Sequence, residues 1–273
     1  MSIPHLSGLQ HILDETADNG RFALAYSGGL DSRFLAHAAK LLKFQPVLLH
    51  VTGPHVPPEE SDFARSWAKE QQLDFREIPV NALSVPAVAE GARDRCYACK
   101  YAMFSRLAQE CDLPLCDGTN ASDASAYRPG IRAVRELGVV SPLALAGMTK
   151  NDIHLTAEET GMTLPWQKAR PCLLTRLPYG TRPDAETLAD LAEGEQAVRR
   201  ALEEAGLPQV DFRLRLVAPD RLELHLTASD MASLPEDLGA ALLQSVHAAV
   251  PNRTQPVLSV QESLSGFFDR THV

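Results

Sequence analysis

Short apolar runs alternate with stretches of helical apolar spacing through the first part of the chain. Phe22-Ala23-Leu24-Ala25-Tyr26 reads as a strand ending in a glycine-rich turn, and Arg33 to Leu42 then repeats its apolar positions at the spacing of one helix face. Pro46 to Val51 and Phe75 to Val80 carry the strand signal again, with a helix predicted over Glu59 to Gln72 between them. A helix over Tyr97 to Cys111, a short strand over Pro114 to Asp117, and a helix over Thr149 to Thr160 continue the series. Strands separated by helices imply parallel pairing, because a parallel neighbour can only be reached by a long crossover. An α/β fold with a parallel, Rossmann-like sheet follows.

The pattern changes between Gly161 and Asp184, where prolines, a glycine and basic residues replace periodic apolar positions. Such a segment reads as an ordered functional loop, and it places a domain boundary near Pro183, giving domains 1–183 and 184–273. The second is predicted as a smaller α+β domain. It begins with a helix over Asp184 to Ala205, followed by strands at Asp211 to Val217 and Arg221 to Leu226 around Ala218-Pro219-Asp220. A helix over Leu234 to Ala249 and a strand near Pro256 to Val260 complete it.

Composition narrows the function classes. A length of 273 residues with 45% hydrophobic and 22% charged side chains is that of a globular protein. No apolar run approaches the roughly 18 residues of a membrane span, and Met1 to Asp14 lacks the basic-then-apolar order of a secretory signal, so a cytoplasmic protein is expected. A formal charge of -9 and a pI near 5.5 oppose a broad nucleic-acid surface. The five cysteines (Cys96, Cys99, Cys111, Cys116 and Cys172) are an odd set that suits metal, cluster or catalytic duty better than disulfides.

Ser27-Gly28-Gly29-Leu30-Asp31-Ser32 lies where a strand turns into a helix, so main-chain N–H groups and the helix dipole can gather phosphate there. The Gly-Lys-Ser/Thr ending of the ordinary P-loop is missing. The segment matches Ser-Gly-Gly-x-Asp-Ser in full and resembles the PP-loop of ATP pyrophosphatases, which cleave ATP to AMP and pyrophosphate while adenylating an oxygen. On that resemblance Ser27, Gly28, Gly29, Asp31, Ser32 and the later Gly118 bind ATP, and Asp31 holds Mg²⁺, a cation that prefers carboxylate and phosphate oxygens.

Cys96 and Cys99 form a C-x-x-C pair at a predicted helix start, flanked by Arg95 and Lys100, a setting that favours thiolates. Alone, the pair also reads as a redox pair or half of a zinc site. Cys111 and Cys116 read as core cysteines. Cys172 lies between Arg170 and Arg176, within Cys172-Leu173-Leu174-Thr175-Arg176-Leu177-Pro178-Tyr179-Gly180. This stretch resembles the Cys-Leu-x-Ser-Arg-x-Pro-Tyr-Gly segment of LarE-type sulfur transferases, with Leu174 and Thr175 where Ala and Ser are usual. The likeness continues through Arg95-Cys96-Tyr97-Ala98-Cys99-Lys100, Gly118-Thr119-Asn120, Arg128-Pro129-Gly130 and Ser141-Pro142-Leu143 in family order.

The resemblance implies an ATP-dependent sulfurtransferase. It would adenylate the carboxylates of pyridinium-3,5-biscarboxylic acid mononucleotide and convert them to thiocarboxylates for the nickel-pincer cofactor. Its partners would be that small molecule and a sulfur donor, without nucleic acid or membrane, and a homo-oligomer is expected. The three-cysteine branch of the family holds a [4Fe-4S] cluster on the positions of Cys96, Cys99 and Cys172, while another branch sacrifices the single cysteine at the Cys172 position. A tRNA thiolase and an amidating ligase are the competing adenylating enzymes. In Phe212-Arg213-Leu214-Arg215-Leu216 the alternation puts both arginines on one strand face, as it does Glu223 and His225 on the next strand. This pattern suits either a solvated, ion-paired face or a phosphate clamp. The resemblance favours the clamp, with Arg176, Glu195 and Glu223 as further substrate-binding residues.

Overall fold

The computed structural model describes residues 6–125, 129–168 and 170–270. They divide into two compact units, 1–87 with 94–170, and 88–93 with 171–273. The first unit holds α1 (Ser7–Thr16), β1 (Arg21–Ala25), α2 (Leu30–Leu41), β2 (Gln45–Thr52), α3 (Pro58–Glu70) and β3 (Asp74–Pro79). The short α4 (Pro86–Ala89) crosses into the stretch assigned to the second unit. The first unit resumes with α5 (Arg95–Leu107), β4 (Leu115–Cys116), α6 (Pro129–Glu136), α7 (Pro142–Leu145) and α8 (Lys150–Glu159).

Its four strands are parallel in the order β3-β2-β1-β4, and Val140 adds a parallel bridge to Cys116 beyond β4. Alternation along the strands sends side chains to two cores. Phe22, Leu24, Tyr26 and Leu48 meet Leu9 and Leu13 of α1, Phe34 and Leu35 of α2 and Ile153 of α8. Ala23, Val47 and Leu49 meet Phe104 and Leu107 of α5 and Val134 of α6. Helices therefore cover both sheet faces, as the near-continuous apolar strands demand. The chain winds outward from β1 through β2 to β3, then returns to the other side of β1. That reversal opens a crevice at the carboxyl ends of β1 and β4, where open α/β sheets take their ligands.

In the second unit, α9 (Ala185–Glu204) precedes an antiparallel hairpin of β5 (Phe212–Ala218) and β6 (Arg221–Thr227). After α10 (Ala228–Ala232) and α11 (Leu238–Ala249), β7 (Val257–Gln261) pairs parallel to β6, giving the order β5-β6-β7 before α12 (Phe267–Arg270). Leu188, Leu191, Val198, Leu214, Leu224, Leu226 and Val246 are buried there. The α/β unit with a parallel sheet and the smaller α+β unit agree with the pattern read from the chain. Among the described residues the helices α1, α4, α6, α7, α10 and α12 were not anticipated, all but α1 and α6 being of five residues or fewer. In α1 the apolar spacing of Leu9 and Leu13 is interrupted by polar residues, and its helical form is supported by burial against the sheet. Arg128 lies outside the described residues. No helix among those described is long and apolar enough to cross a membrane.

Candidate active site

The phosphate loop sits at the reversal point. Gly28 has φ of 76°, a left-handed backbone that L side chains rarely adopt, and a Cβ there would stand 2.9 Å from the Cβ of Ala64. Gly29 then begins α2 as its N-cap, without a side-chain cap, so the first amides of the helix keep their donors toward the loop. The Gly29 amide makes only a long bond of 3.3 Å to Ser27 Oγ, which also lies 3.2 Å from Ser32 Oγ. Ser32 Oγ donates to the Gly29 carbonyl at 3.1 Å. Ser27, Gly28, Gly29, Asp31 and Ser32 are thus brought together in one turn. Gly118 joins them: past the end of β4, its Cβ would come within 2.8 Å of the Ser32 nitrogen, so only glycine lets that strand end approach the helix start.

The groove beside Gly118 is rigidly wired. Buried Asp117 accepts from the Thr119 amide (3.1 Å), the Thr119 hydroxyl (2.6 Å) and the Ser141 hydroxyl (2.7 Å). These bonds give Gly118-Thr119-Asn120 and Ser141-Pro142-Leu143 one fixed arrangement. Asp31 Oδ1 receives Lys150 Nζ at 2.7 Å from the first turn of α8. Lys150 was missed by the sequence reading, and so was Arg33, wholly buried behind the loop. Lys150 does carry a local signal: a capping box pairs Thr149 with Asp152, which puts a lysine at the first position of a helix start.

Cys96 and Cys99 lie in the first turn of α5, the former exposed and the latter buried, with Cys99 Sγ 3.6 Å from Met103 Sδ. Cys116 is fully buried in β4, where burial pushes its thiol up to about 12, and it serves as core. Cys111 lies outside any strand and is half-buried, packed against the core under α5.

In the second unit, half-buried Cys172 caps a 3₁₀ turn over Leu173–Arg176. Its carbonyl accepts from the Thr175 amide (3.0 Å) and hydroxyl (2.8 Å), and that hydroxyl in turn accepts from Arg176 Nη1 at 2.8 Å. Arg176 forms a two-pronged pair with Glu195, Nε to Oε1 at 2.6 Å and Nη2 to Oε2 at 3.1 Å, both side chains nearly solvent-free. The Glu195 carboxylate also accepts from the Leu214 amide at 3.0 Å. Burial alone would raise its pKa, but the charge and hydrogen bonds of Arg176 outweigh that and hold it below the usual range.

Arg213 and Arg215 do share a face of β5, opposite His225 and Glu223 of β6, and all four side chains are buried rather than solvated. Arg213 pairs with Asp211. Arg215 is bonded to no carboxylate among the described residues: Nη1 meets His225 Nδ1 at 2.6 Å, Nη2 donates to the Leu264 carbonyl, and Nε has no partner. Because arginine only donates, His225 Nδ1 must be the acceptor, so Nε2 carries the proton that Glu223 accepts at 2.8 Å. Burial, together with the charges of Arg176 and Arg213, pushes Arg215 down to about 10. Burying a guanidinium without a directly bonded carboxylate is costly.

Cys96 and Cys99 belong to the first unit and Cys172 to the second. Among the described residues no three His, Cys, Asp or Glu side chains form a metal-ion site.

The parallel sheet, with Ser-Gly-Gly-x-Asp-Ser at its reversal point, defines a PP-loop α/β protein. No protein-family model matches the chain. An uncharacterized protein of Synechocystis sp. is 32% identical over 202 residues, 71% of this chain and 74% of that protein. An uncharacterized protein of Methanocaldococcus jannaschii is 29% identical over 195 residues, 70% of this chain and 74% of its own. The pyridinium-3,5-bisthiocarboxylic acid mononucleotide synthase of Lactiplantibacillus plantarum is 31% identical over 203 residues, 72% of each chain. The chain belongs to the LarE-type family of sulfur-transferring enzymes.

Proposed function

We propose that the chain uses ATP to adenylate the carboxylates of pyridinium-3,5-biscarboxylic acid mononucleotide and replaces the activated oxygen with sulfur. The observation that carries the reading is the built phosphate loop, Gly28 in its left-handed turn with Gly118 pressed onto the Ser32 amide, in a chain related to a bisthiocarboxylic acid mononucleotide synthase. A substrate carboxylate oxygen attacks the α-phosphorus of ATP, and pyrophosphate leaves. The loop amides and the α2 dipole favour the negative charge of the phosphates. Asp31 is the residue that would hold Mg²⁺, whose charge would offset that of the pyrophosphate. Lys150, already on Asp31, supplies a second cation beside it. A sulfur nucleophile then attacks the acyl carbon, AMP leaves, and a thiocarboxylate results. Arg215 is the best candidate for the mononucleotide phosphate, since Arg176 and Arg213 have carboxylate partners.

Cys172 is the proposed sulfur residue, its backbone held by Thr175 and through it by Arg176. Cys96 and Cys99, soft donors on one helix start, fit two positions of the [4Fe-4S] cluster that the three-cysteine branch implies, with Cys172 as the third. When bound, such a cluster would supply sulfur without consuming the polypeptide. In the alternative, Cys172 itself gives up its sulfur.

The test is anaerobic turnover with ATP, sulfide and the biscarboxylic mononucleotide. AMP, pyrophosphate and a thiolated product are expected. Asp31→Ala should lower the rate about 10²- to 10³-fold, as losing an electrostatic clamp on a reacting phosphate does. ADP and orthophosphate as first products would reject the adenylation. Intact-protein mass after turnover separates the two sulfur sources, because sacrifice leaves dehydroalanine at Cys172.

A further inference from the structure

Arg33 is the largest fully buried side chain among the described residues, and its guanidinium faces two segments at once. On one side Nε donates to the Gly28 carbonyl of the phosphate loop at 3.1 Å. On the other, Nη1 donates to the Thr163 carbonyl (2.7 Å) and Nη2 to the Leu164 carbonyl (3.1 Å) and Gln167 Oε1 (2.6 Å). Phe63 and Trp67 of α3 lie against the guanidinium, and Trp67 Nε1 also reaches Thr163 Oγ1 at 3.2 Å. Every one of these hydrogen-bond acceptors is neutral.

We propose that Arg33 is a positioning residue that couples the phosphate loop to the strap Thr163–Gln167, so that an anion bound on the loop orders the strap; this rests on the ATP reading above. The peptide plane supplies the link. Because that plane is rigid, fixing the Gly28 carbonyl toward Arg33 fixes the Gly29 N–H in the opposite direction, away from the protein side of the loop. That N–H now makes only its long bond to Ser27 Oγ, so it is available for a phosphate oxygen. A phosphate accepting there polarises the same peptide, strengthens its carbonyl as an acceptor and tightens the Arg33 bond. Among the described residues Arg33 has no carboxylate partner, so its buried charge would lie one peptide behind such a phosphate.

The strap lies at the surface, where the Trp166 ring also stacks on that of His154 at 4.5 Å. Thr163, Leu164 and Trp166 are exposed, and Leu164 has φ of 52°. Its ties are side-chain bonds from α2, α3 and α8, the last being His154 Nδ1 with the Pro165 carbonyl at 2.7 Å. Segments held this way exchange their amides at low free-energy cost. The strap continues through Arg170, paired with Glu60 at 2.7 Å, into Pro171 and Cys172.

Hydrogen–deuterium exchange of the full chain tests this, with and without the α,β-methylene analogue of ATP and Mg²⁺. The analogue is expected to slow exchange in both the loop and residues 162–168. Gln167→Ala, which removes the side-chain acceptor of Arg33 in the strap, should keep the loop protection and lose the strap protection. Arg33→Met should weaken analogue binding about tenfold, because the Gly28 carbonyl loses the charged donor that orients the Gly29 N–H. Loop protection in the wild type without any change in the strap overturns the coupling alone, as does strap protection that survives Gln167→Ala. No binding of the analogue overturns the ATP reading and the coupling with it.

Discussion

In the first unit the groups proposed to receive an anion are main-chain amides of Ser27–Ser32, set by a left-handed glycine and a helix start. In the second the proposed group is the Arg215 guanidinium, set among Arg176 and Arg213, which have carboxylate partners, and a histidine. The two means carry different costs. Main-chain donors need no charge of their own, so the loop asks only for absent side chains at the right places. Buried guanidiniums have lost their water, and each must be compensated or left seeking an anion. The loop should therefore be vulnerable to added volume, and the basic cluster to lost charge with the larger effect on stability.

The greatest expected effect follows from the tightest pair. Glu195→Ala leaves Arg176 buried and uncompensated, and should destabilise the second unit by about 3–5 kcal/mol. The same pair predicts an acid response. Glu195 has its carboxyl held below the usual range, so its contribution is fully present above the ordinary glutamate value of about 4.3 and is lost as pH falls through the lowered folded value. Urea unfolding from pH 7 to 3 should show the wild type losing stability over that interval, with a shallower loss in Glu195→Ala. A variant as stable as wild type would make the cluster no more costly than the loop and break the contrast.

Next in size is the division of labour between the two strand arginines. Arg215→Ala should weaken the mononucleotide by about 1.5–3 kcal/mol, the worth of a charge-assisted contact, and leave ATP binding intact. Arg213→Ala should cost less, because its charge is already taken by Asp211. Calorimetry on both variants decides the matter, and equal losses would return the phosphate to a two-arginine clamp.

The same contrast explains what could be read from the chain. Strands, their crossover helices and the Ser-Gly-Gly-x-Asp-Ser loop are local patterns, and their chemistry is carried by consecutive residues. The alternation of β5 likewise put Arg213 and Arg215 on one face. It could not say whether that face is solvated, because burial depends on Leu264 and Phe267, far along the chain, closing over Arg215. Nor could spacing reveal that Asp211 and Glu195 neutralise two of the arginines, or that Arg33 faces inward. An arginine beside a phosphate loop reads as an exposed helix residue until α3 and the strap are packed on it. Lys150 meets Asp31 only after α8 is docked against α2. Arg33 and Lys150 find these partners more than a hundred residues away, so local spacing cannot show the pairing even where, as at Lys150, it marks a helix start.

The smallest expected effect separates what the fold demands of the loop from what the ligand demands. Gly28→Ala would force an L side chain into φ of 76° and set its Cβ against Ala64, a strain of about 1–3 kcal/mol. Gly29 is different. Its φ of -70° and ψ of 164° suit any residue, and among the described residues a Cβ there meets only Ser27 Oγ, at 3.3 Å, an atom that can rotate away. Nothing in the folded loop itself calls for glycine at that position. If glycine is needed, the need arises when a phosphate approaches the Gly29 amide closely enough for a methyl group to obstruct it. Gly29→Ala should accordingly unfold within about 0.5 kcal/mol of wild type, the usual span of a change away from any packing constraint. The KM for ATP should nevertheless rise. Thermal unfolding and initial rates on the one variant test both halves: unchanged stability with unchanged ATP kinetics would mean that the nucleotide does not approach the second glycine.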